Sequence, residues 1–241
     1  MLLLAPFPYF FPSGNQRSAN GDFTMETSDR LRLRMAMTNG HLVRSLDALW
    51  TSPDIARLFP EYLILLHQVI RASVPLMEAA RSEALKLPIG DPLRDPLASY
   101  FQHHINEERD HDDWTLEDLC AAGFSKDEIL NRIPLPTTAS FVGCQYYWIY
   151  HHHPVGLLGY ILMLESDPGT TEVYDDLERR TGLPKALFRT YRMHGELDPQ
   201  HVKELDEFID SLPLSESHLS LMGISAMSAC IGFAECVSRL Q

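Results

Sequence analysis

The sequence has few basic residues and few cysteines. It contains 20 lysines and arginines against 33 aspartates and glutamates, which gives a formal net charge of −13. Because such a chain repels phosphate backbones, and no basic patch offsets this repulsion, we expect no nucleic-acid partner. The four cysteines form no Cys-x-x-Cys pair and have apolar or helical neighbours. They are therefore predicted to be free thiols in a reducing cytoplasm rather than ligands of a zinc site.

Long apolar runs of the kind that cross a membrane are also missing from the sequence. Residues 1–12 are apolar and aromatic, but they lack a basic beginning and are much shorter than the roughly 20 residues that span a bilayer. Residues 13–29 are rich in serine, asparagine and glycine. We therefore expect residues 1–38 to be disordered or loosely attached, and the protein to be cytoplasmic and free of membrane contacts.

Signals for β-strands are nearly absent, as are a glycine-rich phosphate loop, a dinucleotide-binding fingerprint and a Gly-x-Ser-x-Gly elbow. Apolar residues instead recur at helical spacing along most of the chain. This pattern predicts one all-α domain over residues 39–241, built from seven or eight helices. The longest predicted helices span residues 60–86, 97–122 and 215–240, and shorter ones span 185–194 and 199–211. Residues 138–165, which contain Pro154 and three glycines, are predicted to form one kinked helix or two abutting ones.

Histidines that lie near carboxylates at helical spacing are the most informative feature of the sequence. Glu108 and His111 are three residues apart, so a helix would place them on one face, and His104 lies one turn before Glu108. Glu-x-x-His is the unit from which di-iron carboxylate sites in helical bundles are built. For this segment alone, a solvated charged face with incidental histidines is an equally good interpretation.

Two further elements carry residues suited to metal binding. Glu165 ends an apolar run, so it lies either in water at a helix end or buried beside a cation, since an unpaired buried carboxylate is costly. His194, Asp198 and His201 are spaced i, i+4 and i+7, and on a continuous helix they face the same way. Two imidazoles and a carboxylate suit iron, manganese or zinc. Asp198 followed by Pro199 is also a good helix start.

In this order and at these separations, the three elements resemble the haem-oxygenase-like di-iron oxidases and oxygenases, also described as iron-containing redox enzymes. That family shares a seven-helix fold with thiaminase II and pyrroloquinoline-quinone synthase, and the resemblance covers residues 42–241. Its most specific part is the His-x-x-x-Asp-x-x-His element. The resemblance implies a seven-helix haem-oxygenase-like bundle that holds two Fe²⁺ ions and uses O2 as co-substrate. The iron ligands that it implies are Glu108, His111, Glu165, His194, Asp198 and His201.

The resemblance also implies a reaction class: N-oxygenation or oxidative C–C cleavage of a small amine- or carboxylate-bearing substrate. An amino-acid-like substrate of specialised metabolism is favoured. Many members take a carboxylate ligand from two turns before the first histidine ligand, and here that position is His104. The first iron site is therefore completed by Glu108 or Glu107, with His104 as an added or replacement ligand. Tyr160, one turn before Glu165, is expected to line the pocket beside the ligands.

Two other functions are compatible with the same sequence. One is a metal-independent enzyme of the same fold, either a cofactorless oxidase or a thiaminase-like enzyme, which would leave six ligand-type residues without a role. The other is a non-catalytic helical protein that carries a ligand. The di-iron interpretation leaves room for an external electron donor and for a homodimer.

Overall fold

The computed structural model describes residues 16–17, 23–166 and 171–241, and within them the side chains of 25–166, 172–193 and 200–241. The described residues form twelve α-helices, two 3₁₀ segments (Pro154–Gly156 and Lys185–Phe188) and one antiparallel pair of two-residue strands, β1 (Gln16–Arg17) and β2 (Phe23–Thr24). The helices are α1 (Thr27–Ala36), α2 (Asn39–Thr51), α3 (Ile55–Ile70), α4 (Ser73–Ala84), α5 (Arg94–Glu108), α6 (His111–Ala121), α7 (Lys126–Asn131), α8 (Pro136–His151), α9 (Leu157–Leu164), α10 (Thr171–Thr181), α11 (Arg189–Ser211) and α12 (Glu216–Ser238).

The predicted all-α class is confirmed, but the predicted count of seven helices is wrong for the described part of the chain. Two long helices, predicted over residues 60–86 and 97–122, are each divided in two, and residues 138–165 form two helices, which was one of the two predicted alternatives. A short turn separates α3 from α4. Asp110, with φ of 69°, separates α5 from α6. The third division lies before Pro154, which begins a 3₁₀ segment between α8 and α9.

The centre of the bundle is α9, in which every residue is buried. It crosses α12 at Gly159, where a methyl group in place of a glycine hydrogen would come within 2.1 Å of the Met222 carbonyl oxygen. Only glycine permits this approach of two backbones, and α12 offers small residues such as Ala226 on the facing side. The crossing positions the end of α9, where Glu165 follows.

Helix α1 packs against α11 and α12, although residues 1–38 are predicted to be loosely attached. Leu31 and Met35 are buried, and Arg32 Nη2 lies 2.6 Å from a carboxylate oxygen of Asp206 on α11. The bundle therefore begins before residue 39, the predicted start of the domain. Most of the remaining residues of the predicted N-terminal segment lie outside the described part of the chain.

The two helices predicted over residues 185–194 and 199–211 are replaced by a 3₁₀ turn and the single long helix α11. The first turn of α11 is fixed by Asp118 of α6, which is almost completely buried. Its carboxylate accepts hydrogen bonds from Arg189 Nε at 2.7 Å and from the Thr190 amide at 2.8 Å. A negative charge at this end of a helix also interacts favourably with the helix dipole.

Two helical stretches, Ile55–Ala84 and Glu216–Ser238, have the length and apolar composition of a membrane span, which corrects the prediction that no segment has them. Both stretches pack inside the bundle, and most of each is buried. Since core helices of soluble proteins pass the same test, the two stretches are weak evidence for a membrane location.

Candidate metal centre

The helix break at Asp110 lies between Glu108 and His111, the first two predicted ligands. Helix α5 ends at Glu108, Arg109 is extended, and Asp110 adopts the left-handed conformation before α6 begins at His111. The prediction that one helix face carries both side chains is therefore wrong. The tight turn nevertheless keeps them together, with Glu108 Oε2 3.2 Å from His111 Nδ1 and both side chains buried. Aspartate tolerates this backbone conformation better than most non-glycine residues.

His104 lies one turn before Glu108 on α5 and is almost fully buried. Burial lowers the pKa of its imidazole to about 4, and the positive charge of a protonated His201 would lower it further, while Glu108 acts in the opposite direction. The ring is therefore neutral at pH 7. Within the described residues its Nε2 has no hydrogen-bond partner.

Glu165 directly follows α9 and is 2% exposed, so it is buried at a helix end rather than solvated. Tyr100 on α5 indicates what surrounds Glu165. Burial raises the pKa of this phenol well above its usual value. The negative charges of Glu165, Glu107, Glu204 and Glu108 raise that pKa further. Carboxylates from α5, from the end of α9 and from α11 therefore act electrostatically on one hydroxyl group.

His201 brings an imidazole of α11 to the same region. Its ring centroid lies 6.2 Å from that of His104, and its Nδ1 is buried without a hydrogen-bond partner among the described residues. Positions 194, 198 and 201 share one face of α11 by helical register. The side chains of His194 and Asp198 themselves lie outside the described residues.

The secondary candidates His104 and Glu107 also contact each other. His104 Nδ1 lies 3.3 Å from Glu107 Oε2, and the other carboxylate oxygen of Glu107 lies 3.2 Å from His103 Nε2. Glu107 is about one-third exposed, whereas Glu108 is buried. Of the two carboxylates, Glu108 is therefore the one that lies within the buried group.

Tyr160 does not belong to this group of side chains. Tyr160 lies five positions before Glu165, which corresponds to about 1.4 helical turns. Its side chain therefore points to another side of the helix than Glu165. The centroid of its ring lies 5.2 Å from that of Phe141. Its pKa is raised by burial first and then by neighbours that include Cys144 and Cys236, not by the carboxylates. Tyr100, rather than Tyr160, is the tyrosine on which these carboxylates act.

Two residues near the centre, Tyr100 and Glu204, are not among the predicted ones, although helical spacing connects each of them to a predicted histidine. Tyr100 lies four residues before His104, and the two rings are 4.2 Å apart. Glu204 lies three residues after His201. Their position one turn from a candidate histidine is the sequence signal that indicates both residues.

The donor set fits iron. Glu108 and Glu165 supply buried carboxylates, and His104 and His201 supply buried imidazole nitrogens that no described group uses as hydrogen-bond partners. Carboxylate and imidazole together suit the divalent ions of the first transition series, iron among them.

Several solved bacterial structures have a similar fold. A domain of unknown function with a haem oxygenase-like fold from Shewanella denitrificans has a TM-score of 0.76 and 17% identity, over 90% of this chain and 92% of that one. A TenA homologue from Pseudomonas syringae pv. tomato has a TM-score of 0.69 and 15% identity, over 96% and 98%. A CADD-like protein from Nostoc punctiforme has a TM-score of 0.62 and 13% identity, over 89% and 95%. These likenesses show the haem-oxygenase-like fold.

No curated protein matches the chain in sequence. The sequence profile of the iron-containing redox enzymes matches residues 76–230, which is more than half of the chain. The matched region includes every predicted ligand, from Glu108 to His201. The chain therefore belongs to the family of iron-containing redox enzymes.

Proposed function

We propose that this iron-containing redox enzyme holds two ferrous ions and uses O2 to oxidise a small substrate that carries an amine or a carboxylate. One observation carries the proposal: buried potential ligands from three distant parts of the chain either contact one another or act electrostatically on Tyr100. They come from the α5–α6 turn, from the end of α9 and from α11. N-oxygenation or oxidative C–C cleavage of an amino-acid-like compound is the reaction class that the family resemblance favours.

The proposed iron ligands rest on two kinds of support. Four of them have described side chains that are each less than a tenth exposed: Glu108, His111, Glu165 and His201. His194 and Asp198 are proposed from their spacing along the continuous helix α11. His104 and Glu107 are the alternates for the first site, and burial favours His104 of the two.

Iron bound by these groups would supply redox equivalents and open coordination positions for O2. The chain itself controls protons and water around the site. Because the pKa of His104 is about 4, its ring stays neutral at pH 7 and keeps a nitrogen lone pair available to a cation. Because the pKa of Tyr100 is raised, its Oη keeps its proton and remains a neutral hydrogen-bond donor among carboxylates.

Aromatic packing fixes Tyr100 in this place. Its ring stacks on Phe208 of α11 with centroids 4.1 Å apart and planes 5° apart. This stacking of the buried Tyr100 on the partly buried Phe208 orients the phenol and shields one side of it from water. Electrons that the substrate does not supply would come from an external donor.

Anaerobic titration with ferrous iron tests the proposal. We expect the wild-type chain to bind two ferrous ions and to give a transient visible absorption band when O2 is added. His201→Ala should bind less iron and should not give the band. His41→Ala removes an exposed histidine of α2 and should behave like the wild type. A band of unchanged size in His201→Ala would contradict the assignment.

A metal-independent, thiaminase-like activity is the second candidate, because one of the similar structures is a TenA homologue. The two candidates differ in their response to chelation. Substrate turnover that survives complete removal of iron would favour the second. The four cysteines are free thiols, which supports the proposed cytoplasmic location for either function.

A further inference from the structure

A second group of potential metal ligands lies beside the buried centre, on the side that faces solvent. It consists of His103 and Glu107 on α5 and Glu204 on α11. One ligand atom from each residue lies within 4.8 Å of the others, and His103 Nε2 is 3.2 Å from Glu107 Oε1. An imidazole and two carboxylates suit Fe²⁺, Mn²⁺ or Zn²⁺. These three residues are called the outer triad below.

Glu107 links the outer triad to the interior. Its Oε1 faces His103, while its Oε2 is buried and lies 3.3 Å from Nδ1 of His104. Side-chain exposure falls along this path from 61% at His103 to 32% at Glu107 and 3% at His104. The buried His104 ring, whose Nε2 has no partner among the described residues, thus continues a line of potential ligands from the surface inward.

An ordinary surface ion pair does not explain the outer triad. The contact between His103 and Glu107 would be such a pair, but Glu204 brings a second carboxylate to within 4.8 Å. In the part of the chain with described side chains, no lysine or arginine lies within ion-pair distance of Glu107 or Glu204. The amide of Gln200, which donates to Glu204 Oε1 at 2.5 Å, carries no charge. The repulsion between the two carboxylates would be offset by a cation placed between them.

We propose that the outer triad is a divalent-cation site that captures a ferrous ion at the surface and passes it through Glu107 to the buried centre. The transfer part rests on the di-iron function proposed above. A buried centre fills slowly when an ion must lose its water in one step. An exposed site with two carboxylates first concentrates the cation. The two oxygens of Glu107, one beside His103 and the other beside His104, then let the ion exchange ligands without leaving the protein.

Two measurements on apo protein test the outer triad. Mn²⁺ titration followed by electron paramagnetic resonance counts bound cations. Stopped-flow quenching of tryptophan fluorescence by Co²⁺ follows filling of the inner centre, because the Trp114 ring lies 4.1 Å from that of His111. The variants are Glu204→Gln and His103→Ala. Glu207→Gln is the matched control, since Glu207 lies one turn along α11 and is 68% exposed.

We expect Glu204→Gln and His103→Ala each to bind one Mn²⁺ ion fewer than the wild type. Co²⁺ should also fill the inner centre of each variant about tenfold more slowly, because the electrostatic attraction of the cation is reduced. Glu207→Gln should match the wild type in both measurements. If Glu204→Gln and His103→Ala bind and fill as Glu207→Gln does, the outer triad is not a cation site. His201→Ala separates this result from failure of the proposed function. If the number of bound Mn²⁺ ions falls in Glu204→Gln but not in His201→Ala, the outer triad is a cation site. The same result would overturn both the buried iron centre and the transfer of iron to it.

Discussion

The crossing of α9 and α12 at Gly159 gives a quantitative test of how the bundle positions Glu165. A methyl group at position 159 would lie 2.1 Å from the Met222 carbonyl oxygen, 2.9 Å from the Met222 carbonyl carbon and 3.0 Å from the Ala226 amide nitrogen. All three are backbone atoms, so no side-chain rotation relieves the overlap. Since carbon–oxygen contacts begin at about 3.3 Å, the two helices must separate by about 1 Å.

The cost of Gly159→Ala follows from this displacement. Adding a methyl group to a packed core usually costs about 1–3 kcal/mol, and we take about 3–4 kcal/mol here because the backbone must shift. Alanine regains about 1 kcal/mol through its higher helix propensity. We therefore expect the free energy of unfolding to fall by about 2–3 kcal/mol, which for a chain of this size lowers the melting temperature by roughly 5–10 °C.

Gly143→Ala is the matched control for this substitution. Gly143 lies on the exposed side of α8, and a methyl group there would meet nothing within 4 Å. It should raise the free energy of unfolding by up to about 1 kcal/mol through helix propensity alone. Thermal and urea unfolding of the two apo variants measures the difference. Equal stability of the two variants would refute the reasoning.

The Gly159→Ala variant should also affect metal binding, because Glu165 lies six residues further along the chain, just beyond the end of α9. A shift of about 1 Å at the crossing moves a ligand by more than a metal site tolerates. We expect fewer ferrous ions bound by Gly159→Ala and an unchanged number bound by Gly143→Ala. An intact iron count in a destabilised Gly159→Ala protein would show that the crossing supports the fold without positioning the ligand.

Three further predictions concern stability. Asp118→Ala leaves Arg189 without its buried partner and should cost about 2 kcal/mol or more, whereas Glu117→Ala removes an exposed partner and should cost less than about 1 kcal/mol, both measured by urea unfolding. His153 Nδ1 accepts a hydrogen bond from the Val155 amide, and burial lowers its pKa from 6.5 to about 4. The stabilisation that this neutral imidazole contributes is complete above pH 6.5 and falls as the pH drops towards 4, because only the unfolded chain then takes up the proton. His153→Asn should therefore reduce the loss of unfolding free energy between pH 6.5 and 4 by about 1 kcal/mol. Chelation of iron from the loaded protein should lower the melting temperature, by an amount equivalent to about 3 kcal/mol if free iron was near a hundred times its dissociation constant.

Local signals in the sequence agree with the structure. Ser125 has the spacing to Glu128 that predicts the start of a short helix, and its Oγ accepts a hydrogen bond from the Glu128 amide. Gly123 is a typical residue to end a helix, and it has a positive φ of 95°. These features depend on a few neighbouring residues, so the sequence contains all the information that determines them.

Breaks within helices are harder to predict from the sequence. The left-handed conformation of Asp110 has no glycine or proline to signal it, and it divides a helix predicted to be continuous. Conversely, the histidine-rich element around Pro199 is divided in the prediction but belongs to the continuous helix α11. Packing against other helices decides both cases, since it outweighs the modest propensities of single residues.

By itself, the sequence determined the helical class and which residue types could bind a metal, because periodicity, capping and spacing act between neighbours in the chain. Only the tertiary structure decided that Tyr100 rather than Tyr160 meets the carboxylates, and that Glu204 joins His103 and Glu107. The physical reason is that the rotation of each helix about its axis, and its distance from the next, are fixed by packing between residues far apart in the chain.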